Sequence, residues 1–230
     1  MKVSVVVPNH GRDITGLRES IPEGVEFIEV DLGLERSVQR NMGIRQSIGE
    51  GLLILDSDQR ISPGLINECV DLCSRGYTCV YIPEIIVADG FFAKVRQFER
   101  GFYTGTAVDV PRFVLRKFCP MFNEDLHGPE DADWGNRIKG VRAISDNPLY
   151  HYDQISLIEY LKKKAYYAKS MNKFRERNRH DLVLKFKYRC WTVFTEKGKW
   201  KRLLRHPILT VCMYAVIFMR GIIYVRATKS

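Results

Sequence analysis

One stretch, Gly51-Leu52-Leu53-Ile54-Leu55-Asp56-Ser57-Asp58, sets two carboxylates, one residue apart, at the end of an apolar run. An unbroken apolar run of this length is typical of a strand that is buried on both faces of a parallel sheet. Ligands of open α/β sheets bind at the carboxyl ends of such strands. The stretch therefore predicts an α/β fold and puts Asp56 and Asp58 where a ligand would bind.

Asp56 and Asp58 are candidate metal ligands. Side chains two residues apart on a strand point the same way, and a turn can bring both onto one cation. Oxygen ligands alone suit Mg²⁺ or Mn²⁺ held between the protein and a substrate diphosphate. The alternative interpretation is a solvated acidic turn, continued by Gln59-Arg60, that caps a helix starting near Pro63.

The same alternation of strands and helices continues on both sides of this stretch. We expect strands at Val3–Val7, Phe27–Val30, Leu52–Leu55, Cys79–Ile82 and Val141–Ile144. We expect helices at Arg12–Glu19, Arg36–Ser47, Ser62 to Ser74 (opened by Ser62-Pro63), Phe91–Phe102 and Ala132–Lys139. Ala107-Val108 and Phe113–Arg116 predict a strand pair around Pro111. Short connections between alternating elements predict a mostly parallel sheet flanked by helices.

The charge of the 230-residue chain is unevenly distributed. Residues 1–150 carry 17 Lys and Arg against 22 Asp and Glu, whereas residues 151–230 carry 19 against 5, for a formal net charge of +9. A basic region of this kind indicates a polyanionic partner, either nucleic acid or an anionic membrane. None of the six cysteines has the spacing of a zinc site, so we expect reduced thiols.

The basic region also contains aromatic residues and ends in an apolar run. The segment from 173 to 205 is dense in Arg and Lys, with aromatic residues interleaved. This composition is typical of a helix at a lipid headgroup layer and also of a single-strand nucleic-acid platform. The apolar run at 208–225, interrupted by Thr210, Arg220 and Gly221, favours a membrane over nucleic acid. The run is slightly shorter than the roughly 20 residues that cross a bilayer. A spanning helix, a helix in the membrane plane, a hairpin made with Leu182–Phe194 and an ordinary buried C-terminal helix all stay open.

A series of short motifs follows the order of a known enzyme family. Val7-Pro8-Asn9 ends the first strand, Asp31 ends the second, and Arg40-Asn41-x-Gly43 precedes the two aspartates. Later positions are Val110-Pro111-Arg112 and then Glu130-Asp131 with Trp134 and Arg137. In this order the motifs resemble the inverting family 2 glycosyltransferases, which have the GT-A fold. The resemblance covers roughly residues 1–155; each motif alone is weak, and the ordered set is specific.

The resemblance implies a role for each of these residues. It implies a donor and metal side that contains Pro8, Asn9, Asp31, Arg40, Asn41, Asp56 and Asp58, with His151 as a further metal or diphosphate ligand. It implies Asp131 as the base that accepts the proton of an acceptor hydroxyl, with Glu130 beside it. It implies an acceptor side that contains Trp134, Arg137 and Arg112. Simpler interpretations stay open: Asp131 as a helix cap, Asp31 as a turn residue, Arg40 on a helix surface and His151 as a packed ring.

The chain is similar to membrane-bound members such as dolichol-phosphate sugar synthases and, more distantly, to a minimal cellulose-synthase-like catalytic domain. It lacks the Q-x-x-R-W motif of processive members. We therefore expect a GT-A catalytic domain at 1–155 and a basic helical membrane-binding region at 156–230, with the catalytic domain on the cytoplasmic side. The expected reaction moves a hexose from GDP-mannose or a UDP-hexose to a lipid-linked acceptor with inversion, assisted by Mn²⁺ or Mg²⁺.

Two other functions fit some of the sequence features. A protein without enzymatic activity could bind nucleic acid or a membrane through the basic region alone. A sugar-nucleotide nucleotidyltransferase shares the fold, but it would need a glycine-rich basic loop after the first strand, and Asn9-His10-Gly11-Arg12 has too few glycines.

Overall fold

A computed structural model of the chain describes residues 1–227; residues 228–230, at the end of the expected membrane-binding region, lie outside the described residues. The chain forms two compact units. The first unit comprises Met1–Ile85, Val110–Glu124 and Glu130–Tyr152. The second unit comprises Ile86–Asp109, Asp125–Pro129 and the chain from Asp153 onward.

The strands are short except for the first. They are β1 (Val3–Pro8), β2 (Glu26–Val30), β3 (Gly51–Ile54), β4 (Gln59–Ile61), β5 (Cys79–Tyr81), β6 (Glu84–Ile86), β7 (Phe113–Leu115), β8 (Arg142–Ile144) and β9 (Leu149–His151). The helices are α1 (Thr15–Ser20), α2 (Arg36–Gln46), α3 (Leu65–Ser74), α4 (Phe91–Arg100), α5 (Glu130–Arg137), α6 (Leu157–Ala168), α7 (Met171–Arg177), α8 (Val193–Thr195), α9 (Trp200–Arg205) and α10 (Pro207–Ala227).

The central sheet of the first unit has the strand order β2-β1-β3-β7-β5-β8. β1 runs parallel to both β2 and β3, and β5 runs parallel to β8. β7 is antiparallel to its neighbours β3 and β5. The predicted α/β class with a mostly parallel sheet flanked by helices is confirmed, and the five predicted strands lie within one residue of their observed bounds.

Both faces of the central sheet are covered, which explains why β1 and β3 are mainly apolar; the exception in β1 is the buried Ser4, whose Oγ donates to the Glu26 carboxylate. All six residues of β1 are buried. Val5 and Val7 belong to one apolar core together with Leu65, whereas Val6 belongs to a second core together with Ile44. Because successive side chains of a strand point to opposite faces, a strand between two cores needs apolar side chains on both faces.

A second sheet, with the strand order β4-β9-β6, is absent from the sequence prediction. Gln59-Arg60 was expected to be a polar turn, but it begins β4, which pairs antiparallel with β9. The turn is shorter than predicted, since Gln59 N donates to Asp56 O at 3.1 Å. Gln59 is fully buried, so its polar side chain does not mark a solvated surface turn as the sequence suggested.

Three helices begin at residues that differ from the prediction. α1 begins at Thr15, three residues later than the predicted start at Arg12. α3 begins at Leu65 after Gly64, whose φ of 83° lies in the left-handed region, and Ser62 Oγ donates instead to Pro148 O at 2.7 Å. α5 begins at Glu130, two residues earlier than expected, so Glu130 and Asp131 form its first turn. Acidic residues in the first turn stabilise a helix through its dipole.

The second unit is mainly helical. Its apolar core combines α4, α6 and α10 through Phe98, Tyr160, Met213 and Val216, among others. The predicted strand at Ala107-Val108 is wrong, because these residues lie in a turn region where Asp109 N donates to Thr106 O at 3.0 Å. Within the described residues, Pro207–Arg226 is the one helix that is long and apolar enough to cross a membrane.

Candidate functional site

Polar residues follow three neighbouring strands at one edge of the central sheet. The parallel register pairs Pro8 with Val30, and Asn9 N donates to Val30 O at 2.8 Å. One residue further on, the Asp31 carboxylate accepts from Gly11 N at 3.0 Å. β3 ends at the same edge and leads into Asp56. The structure thus brings the sequence-predicted donor residues of three strands to the edge where ligands of such sheets bind.

Asn9 shapes the loop at this edge. Its side chain Oδ1 accepts from His10 N and Arg12 N, and its Nδ2 donates to Arg12 O at 2.9 Å. These contacts fix the loop from which Arg12 reaches Asp58, with Arg12 Nη1 2.8 Å from Asp58 Oδ2. The Arg12 side chain is more than half exposed, so this contact is on the solvent side of the site.

The pairing of β4 with β9 brings His151 to Asp58. In this register Gln59 lies opposite His151, and Tyr152 N donates to Asp58 O at 2.7 Å. His151 Nε2 lies 3.2 Å from Asp58 Oδ1, and His151 Nδ1 lies 2.7 Å from Glu84 Oε1. A histidine 93 positions away in sequence therefore stands between two carboxylates.

The surroundings of His151 favour its protonated form. Burial alone lowers the pKa of an imidazole, but the Asp58 and Glu84 carboxylates outweigh it and raise the pKa of His151 to about 9. The same contact acts on the partner: burial raises the pKa of Asp58, and the His151 imidazole more than compensates, so that the pKa of Asp58 is lowered.

Arg40 links the two acidic motifs of the chain. Its Nη1 donates to Asp131 Oδ1 at 2.5 Å and its Nη2 donates to Asp56 Oδ1 at 2.6 Å. The Arg40 side chain is 0% exposed. Helix α2 can bring it this close to the sheet because Gly43 packs directly on β1, where an added Cβ would lie 2.4 Å from Val6 Cγ1.

Two further arginines surround the same carboxylates. Arg36 donates through Nε to Glu130 Oε1 at 3.0 Å, and its Nη1 lies 4.0 Å from Asp56 Oδ1. Arg112 Nη2 lies 3.6 Å from Asp56 Oδ2 and 3.9 Å from Glu84 Oε2. The sequence placed Arg112 on the acceptor side, and the structure places it beside Asp56.

This arginine cluster keeps the buried carboxylates ionised. Burial raises the pKa of Asp131, but the guanidinium groups around it, Arg40 foremost, hold that pKa below its usual range. The pKa of Asp56 is lowered well below its usual range against burial, again by Arg40 first and then by Arg112. Both aspartates are therefore carboxylates at neutral pH.

Asp58 and His151 are the residues of this unit that fit a divalent cation. Asp58 Oδ1 is buried and accepts no hydrogen bond of good geometry within the described residues, although His151 Nε2 lies 3.2 Å away. A buried oxygen without a donor is costly unless a cation or water occupies the space beside it. Asp56, in contrast, already faces three guanidinium groups.

Three sequence-predicted residues lie away from this cluster. Asn41 is buried and holds the 122–124 segment, with Nδ2 donating to Phe122 O at 3.0 Å and to Glu124 Oε1 at 2.7 Å. Trp134 is buried in the core, stacked on Phe122 at 4.7 Å, and donates to Pro120 O. Arg137 pairs with Asp133 on its own helix.

The sequence reasoning missed Arg12, Arg36 and Glu84. The sequence could have indicated Arg36, because this residue lies four positions before Arg40 and therefore on the same face of α2. Arg12 closes the loop after Pro8-Asn9, next to a predicted ligand edge. Glu84 had no signal, since only the small sheet places it beside His151.

Known protein structures share this fold. Staphylococcus aureus TarS aligns with the whole chain at 14% identity and a TM-score of 0.53, and the alignment covers 55% of that protein, so the chain spans about half its length. A TarS fragment of residues 1–349 in complex with UDP-GlcNAc aligns at 16% identity over 93% of this chain and 89% of the fragment, with a TM-score of 0.49. No protein-family profile and no curated protein matches the sequence. At 14% identity, the alignment with a TM-score of 0.53 establishes a likeness of fold alone.

Proposed function

We propose that the chain is a membrane-associated glycosyltransferase. It moves a hexose from a nucleoside-diphosphate sugar, GDP-mannose or a UDP-hexose, to a lipid-linked acceptor with inversion. The observation that carries this proposal is the double contact of buried Arg40 with Asp56 and Asp131. Two motifs 75 positions apart thereby form one acidic centre at the ligand-binding edge of an α/β sheet.

The metal in this proposal is held by Asp58 and His151, with Asp56 next to them. Carboxylate oxygens suit both Mg²⁺ and Mn²⁺, and the imidazole shifts the preference toward Mn²⁺. When bound, the cation neutralises the charge of the diphosphate and polarises its bond to the sugar. His151 must lose its proton to act as a ligand, so cation and proton compete for the same nitrogen.

The chain's own residues supply the remaining chemistry. Asp131 is ionised and accepts the proton of the acceptor hydroxyl while the acceptor oxygen bonds to the anomeric carbon. The bond from that carbon to the diphosphate oxygen breaks, and the nucleoside diphosphate leaves with the electron pair. Arg40 fixes the distance between Asp131 and the donor side, and Arg36 holds Glu130 beside it. Arg36 is partly exposed and can also turn toward the diphosphate.

The donor side follows from the edge of the sheet. Asp31 and the loop at Asn9 lie at the ends of β2 and β1, next to Asp56, and are proposed to contact the nucleoside. A lipid-linked acceptor is proposed because the second unit ends in the apolar helix α10 and carries the basic excess of the chain. On this proposal the catalytic unit faces the cytoplasm.

Donor binding tests the proposal directly. Isothermal calorimetry would compare UDP, GDP, UDP-GlcNAc and GDP-mannose, each with and without Mn²⁺. We expect one nucleotide to bind in a metal-dependent manner, and Asp58→Ala to remove that dependence. Asp146→Asn, an exposed carboxylate outside the cluster, is the matched control and should bind like the unaltered protein. If folded protein binds none of these nucleotides, the proposed function is wrong.

A further inference from the structure

Helix α10 has an outer apolar stripe that the described residues leave uncovered. Its members recur at intervals of three and four residues and are exposed along the whole helix: Ile208, Val211, Ala215, Phe218, Ile222 and Val225. Only 11% of the most apolar window of this helix is buried. An ordinary buried C-terminal helix would cover such a face, so α10 requires a partner outside the described chain.

The inner face of α10 is fixed to the protein. Met213 and Val216 are buried in the core of the second unit. Arg220 lies on the same face and donates to Tyr160 Oη of α6 at 2.8 Å and to the buried carboxylate of Glu99 on α4. The one charged residue between Pro207 and Val225 is therefore neutralised inside the unit and does not point toward the stripe.

The neighbours of α10 cannot enter hydrocarbon with it. α10 packs along α4 and α6. α6 exposes Glu159, Lys162 and Lys163, and α4 exposes Lys94. If α10 crossed a bilayer, these charges would move into the membrane core or the Arg220 contacts would have to break. A helix in the membrane plane keeps the contacts and leaves the charges in water.

The charges beside α10 match an anionic lipid surface. Lys197, Lys201 and Arg205 are exposed directly before the helix, and Arg226 is exposed near its end. Exposed aromatic residues accompany them at Trp191 and Trp200. Cations with aromatic rings beside an apolar stripe form the pattern of a helix at the headgroup boundary.

We propose that α10 binds an anionic membrane from one side, with its axis in the membrane plane and its outer apolar stripe in the acyl boundary. About 31 Å of helix lies along the surface. The inference rests on the membrane attachment in the proposed function and is independent of the proposed sugar transfer.

Vesicle sedimentation tests the stripe. The double variant Phe218→Ser/Ile222→Ser should reduce binding to vesicles of phosphatidylcholine with phosphatidylglycerol at least about tenfold, because it removes two large apolar side chains from the bound face. Ile48→Ser/Val141→Ser is the matched control, since it alters two exposed apolar residues of the first unit and should bind like the unaltered protein. Calorimetry with the preferred nucleotide checks that both variants keep the donor site, which separates this inference from the proposed function.

Depth measurements distinguish the two membrane arrangements. A small fluorescent amino acid at position 208, 218 or 225 is quenched by brominated lipids at a depth that depends on the bromine position. The in-plane arrangement predicts the same shallow depth for all three. Shallow ends around a deep centre would assign a spanning helix and overturn the proposal. Equal vesicle binding by both double variants would also overturn the proposal. It would be overturned as well if the unaltered protein formed a dimer without lipid and only Phe218→Ser/Ile222→Ser were monomeric, because the stripe would then be a dimer interface.

Discussion

The two units of the molecule each bury an arginine that forms ion pairs, but the surroundings of the two arginines differ. In the second unit, Arg220 meets one carboxylate, Glu99, and the hydroxyls of Tyr103 and Tyr160 complete the group. In the first unit, Arg40 is shared by Asp56 and Asp131, and its Nε makes no hydrogen bond within the described residues. In the described part of the chain, Asp58 Oδ1 likewise accepts no hydrogen bond of good geometry.

The difference separates a structural ion pair from a site prepared for a ligand. A buried pair that leaves none of its buried polar atoms without a partner, as Arg220 and Glu99 do, contributes to a unique fold and needs no ligand. A cluster with unsatisfied buried atoms and several carboxylates at a sheet edge is stabilised further when a cation or substrate binds. The following predictions test this distinction, from the largest expected effect to the smallest.

Asp131→Asn should lower the rate of sugar transfer by about 10²- to 10⁴-fold, because the amide cannot accept the acceptor proton. The donor affinity should stay nearly unchanged, which calorimetry would verify. Asp71→Asn, on the exposed face of α3, serves as the control and should keep full activity. An unaltered rate for Asp131→Asn would instead indicate an acceptor that is already ionised, such as a lipid phosphate.

Glu99→Ala should lower the free energy of unfolding by about 3–5 kcal/mol, because it leaves the Arg220 guanidinium buried without a counter-charge. Urea unfolding measures the loss. Lys94→Ala, an exposed position on the same helix, should change it little. The double variant Glu99→Gln/Arg220→Met should recover most of the stability, and a failure to recover would mean that the pair does more than balance charge.

The stability of the metal-free protein should fall as the pH rises from about 6.5 to 9. His151 has a raised pKa of about 9 in the folded chain, so its contribution is complete below the unfolded value near 6.5 and is lost as the pH passes the folded value. The contribution is of the order of 3 kcal/mol. Urea unfolding across this range should show the slope, and His151→Gln should remove it. The same slope in His151→Gln would assign it to another group.

The Asp56 and Asp131 carboxylates make the stability of the protein fall at low pH, which is opposite to the effect of His151. The pKa values of Asp56 and Asp131 are lowered, so their contribution is present above the unfolded value near 4 and is lost as the pH falls through the folded values. Acid unfolding followed by circular dichroism should therefore shift to higher pH in Arg40→Met, which removes the partner of both aspartates.

Arg12→Ala should change the free energy of unfolding by less than about 1 kcal/mol, because the contact with Asp58 is exposed on the arginine side. Its effect on Mn²⁺ affinity should be a modest increase, since one competitor for the Asp58 carboxylate is removed. Mn²⁺ titration by electron paramagnetic resonance measures this. Weaker Mn²⁺ binding would show that Arg12 supports the site and does not compete for it.

Much of the first unit could be predicted because its signals are local. The apolar run before Asp56 and the one before Pro8 each specified a buried strand, and the residue after each strand lay at the ligand edge. The small sheet could not be predicted in this way. Its strands have three residues each, too few for a recognisable period, and buried Gln59 looks like a turn residue in sequence.

The sequence predicted which residues form the candidate site better than it predicted the contacts between them. The ordered motifs indicated Asp56, Asp58, Asp131 and His151, whose roles stay predictions. They did not indicate that Arg40 bridges two of them or that Glu84 orients the imidazole. The division into a catalytic domain at residues 1–155 and a membrane-binding region at residues 156–230 likewise stays a functional prediction.

The sequence by itself determined the buried strands, the acidic residues at their ends, the basic second half and the apolar length of α10, because each depends on composition and periodicity over neighbouring residues. Only the tertiary structure decided that Asp56 and Asp131 share one guanidinium, that His151 faces Asp58, and that Arg220 lies on the covered face of its helix. These contacts depend on strand register and on helix packing between distant segments, which no local pattern encodes.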